Sequence, residues 1–151
     1  MKVLVDTSIW SLALRRDSHA PNPEAWELKR LITEHLAEII GPIRQELLSG
    51  LRDVSPFERL ESNLSAFPDI PLLTDDHVTA AKFFNLCRAK GIQGSNTDFL
   101  ICAVAVRNDL AIFTTDGDFA MFAKCLPIIL HEFKKPDEPA SARHRHPRNE
   151  T

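Results

Sequence analysis

Apolar residues along the chain follow two alternating patterns. Short continuous apolar runs predict buried strands, and stretches with an apolar residue every three or four positions predict amphipathic helices. The predicted strands cover residues 2–5, 37–41, 110–115 and 127–130, with a brief extended segment at 69–73. The predicted helices cover residues 8–14, 24–34, 42–50, 56–66, 77–89, 97–108 and 116–124. Strands that alternate with helices predict an α/β fold, here a three-layer α/β/α sandwich around a short, mostly parallel central sheet.

Polar residues, prolines and glycines mark several of the predicted helix ends. Asn22 is expected to cap the helix that follows it, with Pro23 at the first helical position. Asp75 is expected to cap the helix at 77–89, and Lys90 and Gly91 are expected to end it.

The length of 151 residues suits a single domain. We place this domain at residues 1–135 and a polar, basic C-terminal tail at residues 136–151. The tail contains almost no residue that could enter a core, so we expect it to be disordered. His144 and His146 could bind a metal ion as a short His-rich tract, but the composition favours a solvated basic tail.

The sequence gives no sign of a membrane segment or an oxidising compartment. No apolar run approaches the ~18 residues of a membrane-spanning helix, and the N-terminus lacks a signal-peptide pattern. Cys87, Cys102 and Cys125 are odd in number and have no CxxC spacing, which favours buried free thiols. We therefore expect a cytoplasmic protein with no membrane contact.

The net charge does not identify a partner. The net charge is −3, from 18 Lys and Arg against 21 Asp and Glu. This balance does not predict the basic surface that is typical of nucleic-acid-binding proteins. A cluster of acids that binds cations would mask such a surface, because the bound cations neutralise those acids. The partner has to be inferred from the placement of the charges.

Two predicted strands are followed directly by acids, and two predicted helices carry an acid in their first turns. The acids after the strands are Asp6, Asp116 and Asp118, and the acids on the helices are Glu46 and Asp98. In an open parallel sheet, ligands bind outside the carboxyl ends of the strands. The predicted fold would therefore bring these carboxylates to one edge of the sheet.

Each acid taken alone has a structural explanation. Asp6 suits a helix cap, Asp98 suits the first turn of a helix, and the acids on either side of Gly117 suit a turn. Their joint placement favours a metal site, because neighbouring carboxylates repel one another unless cations neutralise them. Mg²⁺ and Mn²⁺ prefer such oxygen ligands, and no set of His and Cys residues suggests zinc. The sequence therefore predicts a Mg²⁺ or Mn²⁺ site.

Such a site is typical of phosphoryl chemistry, in which one cation activates water and a second can stabilise the leaving oxygen. The glycines at 91 and 94 lack the Gly-Lys-Ser/Thr ending of a P-loop. No Gly-x-Ser-x-Gly elbow supports a Ser-His-Asp triad. A phosphohydrolase with an aspartyl intermediate is an open alternative, but it needs a second Asp two residues after Asp6, where the chain has Ser8.

Four segments that carry these acids resemble the motifs of a known family. The segments are VLVDTSIW, GPIRQELLSG, GIQGSNTDFLICAVAV and IFTTDGDF, in this order along the chain. They are similar to the four acidic motifs of PIN-domain proteins, and most similar to those of the VapC-type toxins of toxin–antitoxin pairs. The resemblance extends over residues 1 to about 133.

The resemblance implies a PIN-like fold and a Mg²⁺- or Mn²⁺-dependent endoribonuclease acting on RNA, often transfer or ribosomal RNA. Matched motif by motif, it implies that the catalytic, metal-binding quartet is Asp6, Glu46, Asp98 and Asp116. Asp118 would be an accessory metal ligand. It also implies a homodimer and a cognate antitoxin that blocks the acidic groove. The alternative is a catalytically silent PIN-like protein-binding module, although such a module has no physical reason to keep repelling acids together.

Polar neighbours of the quartet have two interpretations. Thr7, Ser8 and Thr115 lie beside the acids, and are expected either to orient them through hydrogen bonds or to cap helices. Arg44 is a candidate contact for a phosphate group, or else a solvated helical side chain.

Overall fold

Four short strands form one parallel sheet at the centre of the molecule. A computed structural model describes residues 1–14 and 22–135. The strands are β1 (Val3–Val5), β2 (Ala37–Glu38), β3 (Ala111–Phe113) and β4 (Ile129–Leu130). They lie in the order β2-β1-β3-β4, and every neighbouring pair is parallel.

Helices connect the strands and make up most of the described chain. They are α1 (Thr7–Leu14), α2 (Pro23–Thr33), α3 (Gly41–Leu48), α4 (Val54–Leu64), α5 (Thr74–Ala89), α6 (Asn96–Arg107) and α7 (Asp118–Phe122). Every residue of β1 and β3 is buried. Because side chains alternate between the faces of a sheet, helices must cover both faces. The predicted α/β architecture is confirmed.

The topology creates a switch point between the two central strands. The connection from β1 to β2 and the connection from β3 to β4 leave the centre in opposite directions. Right-handed crossovers then place their helices on opposite faces, which opens a crevice at the carboxyl ends of the central strands. Val5 pairs with Phe113, and the backbone N–H of Asp6 donates to the Phe113 carbonyl at 2.9 Å. The residues that follow β1 and β3 are therefore side by side.

Helix α6 is buried along most of its length and fixes the other side of this crevice. Its residues from Phe99 to Ala105 are all buried. Phe99 stacks at a tilt against Phe122 of α7, with the ring centroids 4.8 Å apart. This packing gives the polar first turn of α6 a rigid support.

The observed strands end earlier than predicted at two places, and a third predicted segment forms only a single bridge. The strand predicted at 37–41 ends at Glu38, because Gly41 and Pro42 already begin α3. The strand predicted at 110–115 ends at Phe113, after which backbone and side chains bond to one another instead of to a ladder. The segment at 69–73 contributes one parallel bridge, between Ile39 and Asp69.

The expected cap of α2 is confirmed and that of α5 is wrong. The Asn22 side chain accepts from the Ala25 N–H at 3.1 Å, with Pro23 first in the helix. Helix α5 begins at Thr74, and it is the Asp76 carboxylate that accepts from the Leu73 N–H, at 2.8 Å. Asp76 also pairs with Arg107 of α6, a distant partner that local sequence does not indicate.

Other expectations concern the cysteines, the membrane and the tail. Cys87 and Cys102 are buried free thiols, as predicted, and Cys125 is free and partly buried. Within the two described ranges, no helix has the length and apolar character needed to cross a membrane. The tail at 136–151, with His144 and His146, lies outside the described residues.

Candidate active site

Asp6 lies at the switch point, where β1 ends and α1 begins. Its carbonyl accepts from the N–H groups of Ile9 and Trp10, so its backbone occupies the cap position of α1. Its carboxylate accepts from the Thr7 N–H at 2.8 Å through Oδ1. Through Oδ2 it accepts from the hydroxyl of Thr114, also at 2.8 Å. The backbone of Asp6 thus begins the helix, and two hydrogen bonds fix the orientation of its carboxylate at the crevice.

Thr114 joins the two acids that follow the central strands. Its hydroxyl donates to Asp6 and accepts from the Asp116 N–H at 3.0 Å. The Asp116 carboxylate in turn accepts from the Asp118 N–H at 2.9 Å. Asp116 and Asp118 are both exposed. The turn after β3 is therefore fixed to Asp6 by one hydroxyl group.

Glu46 reaches the same region from α3. The Thr7 hydroxyl donates to Glu46 Oε2 at 3.0 Å. Because Thr7 directly follows Asp6 in the chain, this bond holds the carboxylate of Glu46 in the neighbourhood of Asp6.

Asp98 is held at the start of α6 by a reciprocal cap. Its backbone N–H donates to the Ser95 hydroxyl at 3.1 Å, and its carboxylate accepts from the Ser95 N–H at 3.0 Å. This capping box satisfies two N–H groups that the first turn of a helix would otherwise leave free. The capping box uses only the Oδ2 atom of Asp98. Among the described residues, no hydrogen bond to Oδ1 competes with a ligand for this oxygen.

The electrostatics show that three of the acids share one environment. Burial raises the pKa of Asp6 above its ordinary value, and the charges of Asp98 and Glu46 raise it further. Hydrogen bonds from Thr114 and Thr7 act against this rise. Burial also raises the pKa of the Cys102 thiol, with smaller contributions from Asp98 and Asp6. Asp6 and Asp98 therefore flank the same buried region.

The donor set suits a hard divalent cation. It consists of carboxylate oxygens, and the carboxylate of Asp6 is both partly buried and close to the charges of Asp98 and Glu46. A bound cation would offset the free-energy cost of burying this charge and the repulsion between the acids. Within residues 1–14 and 22–135, no three acidic, His or Cys side chains converge into a complete ligand cluster. The carboxylates of Asp6, Glu46, Asp98 and Asp116 each accept a hydrogen bond from a neighbouring N–H or hydroxyl.

The hydroxyl side chains beside the acids contact the acids and each other. Ser8 Oγ lies 3.4 Å from Asp6 Oδ2 and accepts from the Thr115 N–H at 3.2 Å. Thr7 contacts Glu46, while the cap position of α1 belongs to Asp6. These contacts favour the orienting role over capping for Thr7 and Ser8. Thr115 takes part through its backbone.

Arg44 bonds to the end of α4 and to the segment that follows it. Its guanidinium pairs with Asp69 at 3.0 Å and donates to the carbonyls of Leu64, at 2.9 Å, and Phe67. Leu64 ends α4, so Arg44 ties the end of α4 to α3. With its donors used in this way, Arg44 is a structural residue here and we leave it out of the candidate site.

Thr114 is the site residue that the sequence reasoning missed. Only Thr115, next to Asp116, was singled out. No strand periodicity marks it, because β3 ends at Phe113 and residues 114–116 lie outside the strand. Its role depends on the contact with Asp6, which local sequence does not indicate.

Comparison with known proteins places these features in a family. The model of the PIN domain family matches residues 3–124. Ribonuclease VapC11 of Mycobacterium tuberculosis is 32% identical over 128 residues, which cover 81% of this chain and 92% of the relative. The VapC ribonuclease Mb1587 of Mycobacterium bovis matches with the same identity and coverage.

A solved structure has the same fold. VapBC2 from Rickettsia felis, bound to a DNA fragment from its promoter, aligns with a TM-score of 0.67 and 20% identity. The alignment covers 89% of this chain and all of that chain. The matched region contains β1, β3 and all five acids of the site. The chain therefore belongs to the PIN-domain family, and within it to the VapC group.

Proposed function

We propose that this protein is a metal-dependent endoribonuclease of the VapC type. The observation that carries the proposal is the placement of Glu46 and Asp98 near Asp6 at the switch point, close enough for their charges to raise the pKa of Asp6. Negatively charged carboxylates that repel one another at a partly buried position are typical of a site that binds a cation. The name of the relatives, ribonuclease, supports RNA as the substrate.

Asp6, Glu46, Asp98 and Asp116 would hold the cation, Mg²⁺ or Mn²⁺, with Asp118 as an accessory ligand. When bound, the cation lowers the pKa of water and neutralises charge on the phosphodiester. The chain's own residues supply position. The hydroxyls of Thr114 and Thr7 restrict the carboxylates of Asp6 and Glu46, and the Ser95 N–H restricts Asp98. These donors limit side-chain rotation, which reduces the entropy that would be lost on loading the site.

The exposure of the acids differs, and so do their proposed roles. Asp6 and Asp98 are half-buried, and their oxygens would define the floor of the site. Glu46, Asp116 and Asp118 are exposed and would meet the RNA strand and water at its rim. Because exposed carboxylates are solvated when the site is empty, they can change partner at little cost.

From the similarity to VapC ribonucleases and to the VapBC2 complex, we propose three partners. The substrate is RNA, of the transfer or ribosomal class. A cognate antitoxin would cover the acidic crevice, as the VapBC2 structure is of a two-component complex. The chain would also form a homodimer. Co-expression with a candidate antitoxin from the same operon should relieve any growth arrest, and light scattering should give twice the mass of one chain.

The central test is RNA cleavage by matched variants. Asp98→Asn removes the charge but keeps an amide oxygen that can accept from the Ser95 N–H, so the cap of α6 is preserved. Asp75→Asn removes the same charge from the first turn of α5, away from the crevice, and is the control. With Mn²⁺ present we expect cleavage by the wild type and by Asp75→Asn, and a loss of at least ~100-fold in Asp98→Asn.

Metal binding is tested separately by thermal melting, which does not depend on the choice of RNA. Mn²⁺ should raise the melting temperature of the wild type and of Asp75→Asn, and should raise that of Asp98→Asn much less. An unchanged melting temperature in the wild type would contradict the proposed site. A clear metal response with every RNA left intact would instead favour the silent binding module.

A further inference from the structure

The thiols of Cys87 and Cys125 are in contact between two helical elements. Cys87 lies in the last turn of α5, and Cys125 lies in the turn that follows α7. Their sulfur atoms are 3.5 Å apart. From this contact we propose that the pair is a modification site, which a two-electron oxidant such as hydrogen peroxide converts to an intramolecular disulfide.

The geometry requires only a short approach of the two sulfurs. A disulfide bond is about 2.0 Å long, so the atoms must move closer by roughly 1.5 Å. Cys125 belongs to a turn and not to a helix, and a turn can shift without breaking a ladder of helical hydrogen bonds. Cys102, the remaining cysteine, is fully buried inside α6. The chain therefore contains one contacting pair and one natural control.

The difference in exposure sets the order of the reaction. Cys87 is fully buried, while Cys125 is partly exposed and can meet a small oxidant. Burial and the neighbouring Cys125 raise the pKa of the Cys87 thiol to about 11, so Cys87 is protonated at neutral pH. Because peroxide must reach the sulfur that attacks it, the partly exposed Cys125 is the thiol that reacts first.

The reaction balances in two steps. Cys125 sulfur attacks one oxygen of hydrogen peroxide and the O–O bond breaks, which gives the sulfenic acid of Cys125 and one water. Cys87 sulfur then attacks the Cys125 sulfur, the S–O bond breaks, and the Cys87 proton leaves with the hydroxide as a second water. Two thiols are oxidised, one peroxide is reduced, and the protein loses two hydrogen atoms.

The bond would link the end of α5 to the segment behind α7. The closed loop, residues 87–125, contains both Asp98 and Asp116. Oxidation would therefore constrain the part of the chain that carries two of the candidate ligands. This inference does not depend on the proposed function, since it rests on sulfur geometry alone.

Peptide mapping tests the proposal directly. Trypsin separates the three cysteines, because Cys87 falls in residues 83–88, Cys102 in 91–107 and Cys125 in 125–134. The folded full-length chain is treated with dilute hydrogen peroxide, quenched, and unfolded in the presence of N-ethylmaleimide. We expect a linked pair of peptides 83–88 and 125–134, one alkylated thiol instead of three, and full reversal by dithiothreitol.

Variants distinguish this pair from general thiol oxidation. Cys102→Ala should form the same linked peptides as the wild type. Cys87→Ala should stop at the sulfenic acid of Cys125, which a cyclic dione reagent traps. Three alkylatable thiols in the treated wild type, or a link that includes residues 91–107, would overturn the proposal even if a variant fails to fold.

Discussion

Thr114 shows how one hydroxyl group can organise a site. It donates to Asp6 and accepts from the Asp116 N–H, so it uses both of its hydrogen-bonding capacities within the crevice. Ser8 Oγ lies 3.5 Å from the same hydroxyl and extends the network to Thr115. The positions of two candidate ligands therefore depend on a residue that carries no charge.

Replacing Thr114 should separate positioning from metal binding. In Thr114→Val the shape is kept and both hydrogen bonds are lost, so we expect RNA cleavage to fall by ~10–100-fold, as for other groups that orient metal ligands. In Thr114→Ser the hydroxyl is kept and most activity should return. The measurement is the initial cleavage rate at several Mn²⁺ concentrations. A Val variant as active as the wild type would remove Thr114 from the site.

An ion pair between the buried Asp76 and the partly exposed Arg107 joins α5 to α6. Asp76 is 1% exposed and accepts from the Arg107 guanidinium at 2.6 Å and 2.9 Å. Arg107 also donates to the Pro71 carbonyl at 2.9 Å, so it fixes the segment that leads into α5. Because Arg107 lies in the last turn of α6 and Asp76 in the first turn of α5, this pairing joins the end of α6 to the start of α5.

Asp76→Asn should lower the free energy of unfolding by ~2 kcal/mol at neutral pH. The charged hydrogen bond is lost, although the guanidinium is partly exposed and water replaces some of it. The bond with Arg107 holds the pKa of Asp76 below its ordinary value of 3.8. Its contribution is therefore present above pH 3.8 and is lost as the pH falls through the lowered pKa.

Urea unfolding at several pH values measures this prediction. The difference between the wild type and Asp76→Asn should be constant above about pH 5 and should shrink in more acidic solution. Asp75→Asn, an exposed neighbour, should change the free energy of unfolding by less than ~0.5 kcal/mol at any of these pH values. A difference that grows on acidification would contradict the assigned cause.

The loop before α6 packs closely against α7 at Gly94. A Cβ at this position would lie 2.5 Å from Phe122 Cζ and 3.0 Å from a ring carbon of Phe99. Both rings are buried, so neither can turn away into solvent. The absence of a side chain at Gly94 is therefore a packing requirement that joins the start of α6 to α7.

Gly94→Ala should destabilise the protein by ~1–3 kcal/mol through overpacking. Gly117→Ala is the control, because its Cβ would meet nothing within 4 Å and its φ of −62° is ordinary. That variant should be neutral or slightly more stable, since alanine restricts the unfolded chain. Equal urea midpoints for the two variants would show that the Phe122 ring moves without cost.

At the scale of the molecule, the hydrophobic core lies within the proposed domain of residues 1–135. The buried apolar residues run from Val3 to Leu126, and Phe133 packs against them. His131 directly follows β4, and its Nε2 atom lies 3.1 Å from Oε2 of the buried Glu27 in α2. These are the last contacts with the core within the described residues, and they lie close to the proposed boundary at residue 135.

A chain shortened to residues 1–135 should therefore fold as the full chain does. We expect the free energy of unfolding to change by less than ~0.5 kcal/mol, measured by urea unfolding with matched protein concentrations. The salt dependence of RNA cleavage should be compared in the same preparations. A smaller slope in the shortened chain would indicate that the basic residues at 136–151 contact the RNA. A loss of cooperative unfolding would contradict the domain boundary.

The sequence by itself determined the order and type of the elements. Apolar runs and helical spacing predict the α/β fold, and the family motifs single out five acids. These features are local, because burial and helix formation leave periodic patterns in neighbouring residues. Element ends were less accurate: nothing local distinguishes Asp75 from Asp76, and the cap depends on which of them meets Arg107.

Only the tertiary structure decided which polar groups meet. The pairing of Val5 with Phe113 places Thr114 against Asp6, and a shift of one residue would point it to the other face. The path of α4 brings the carbonyl of its last residue, Leu64, to Arg44, which gives a candidate phosphate contact a structural role. The contact of Cys87 with Cys125 likewise joins residues far apart in sequence. Such contacts leave no periodic pattern, because they depend on packing between elements and not on order within one.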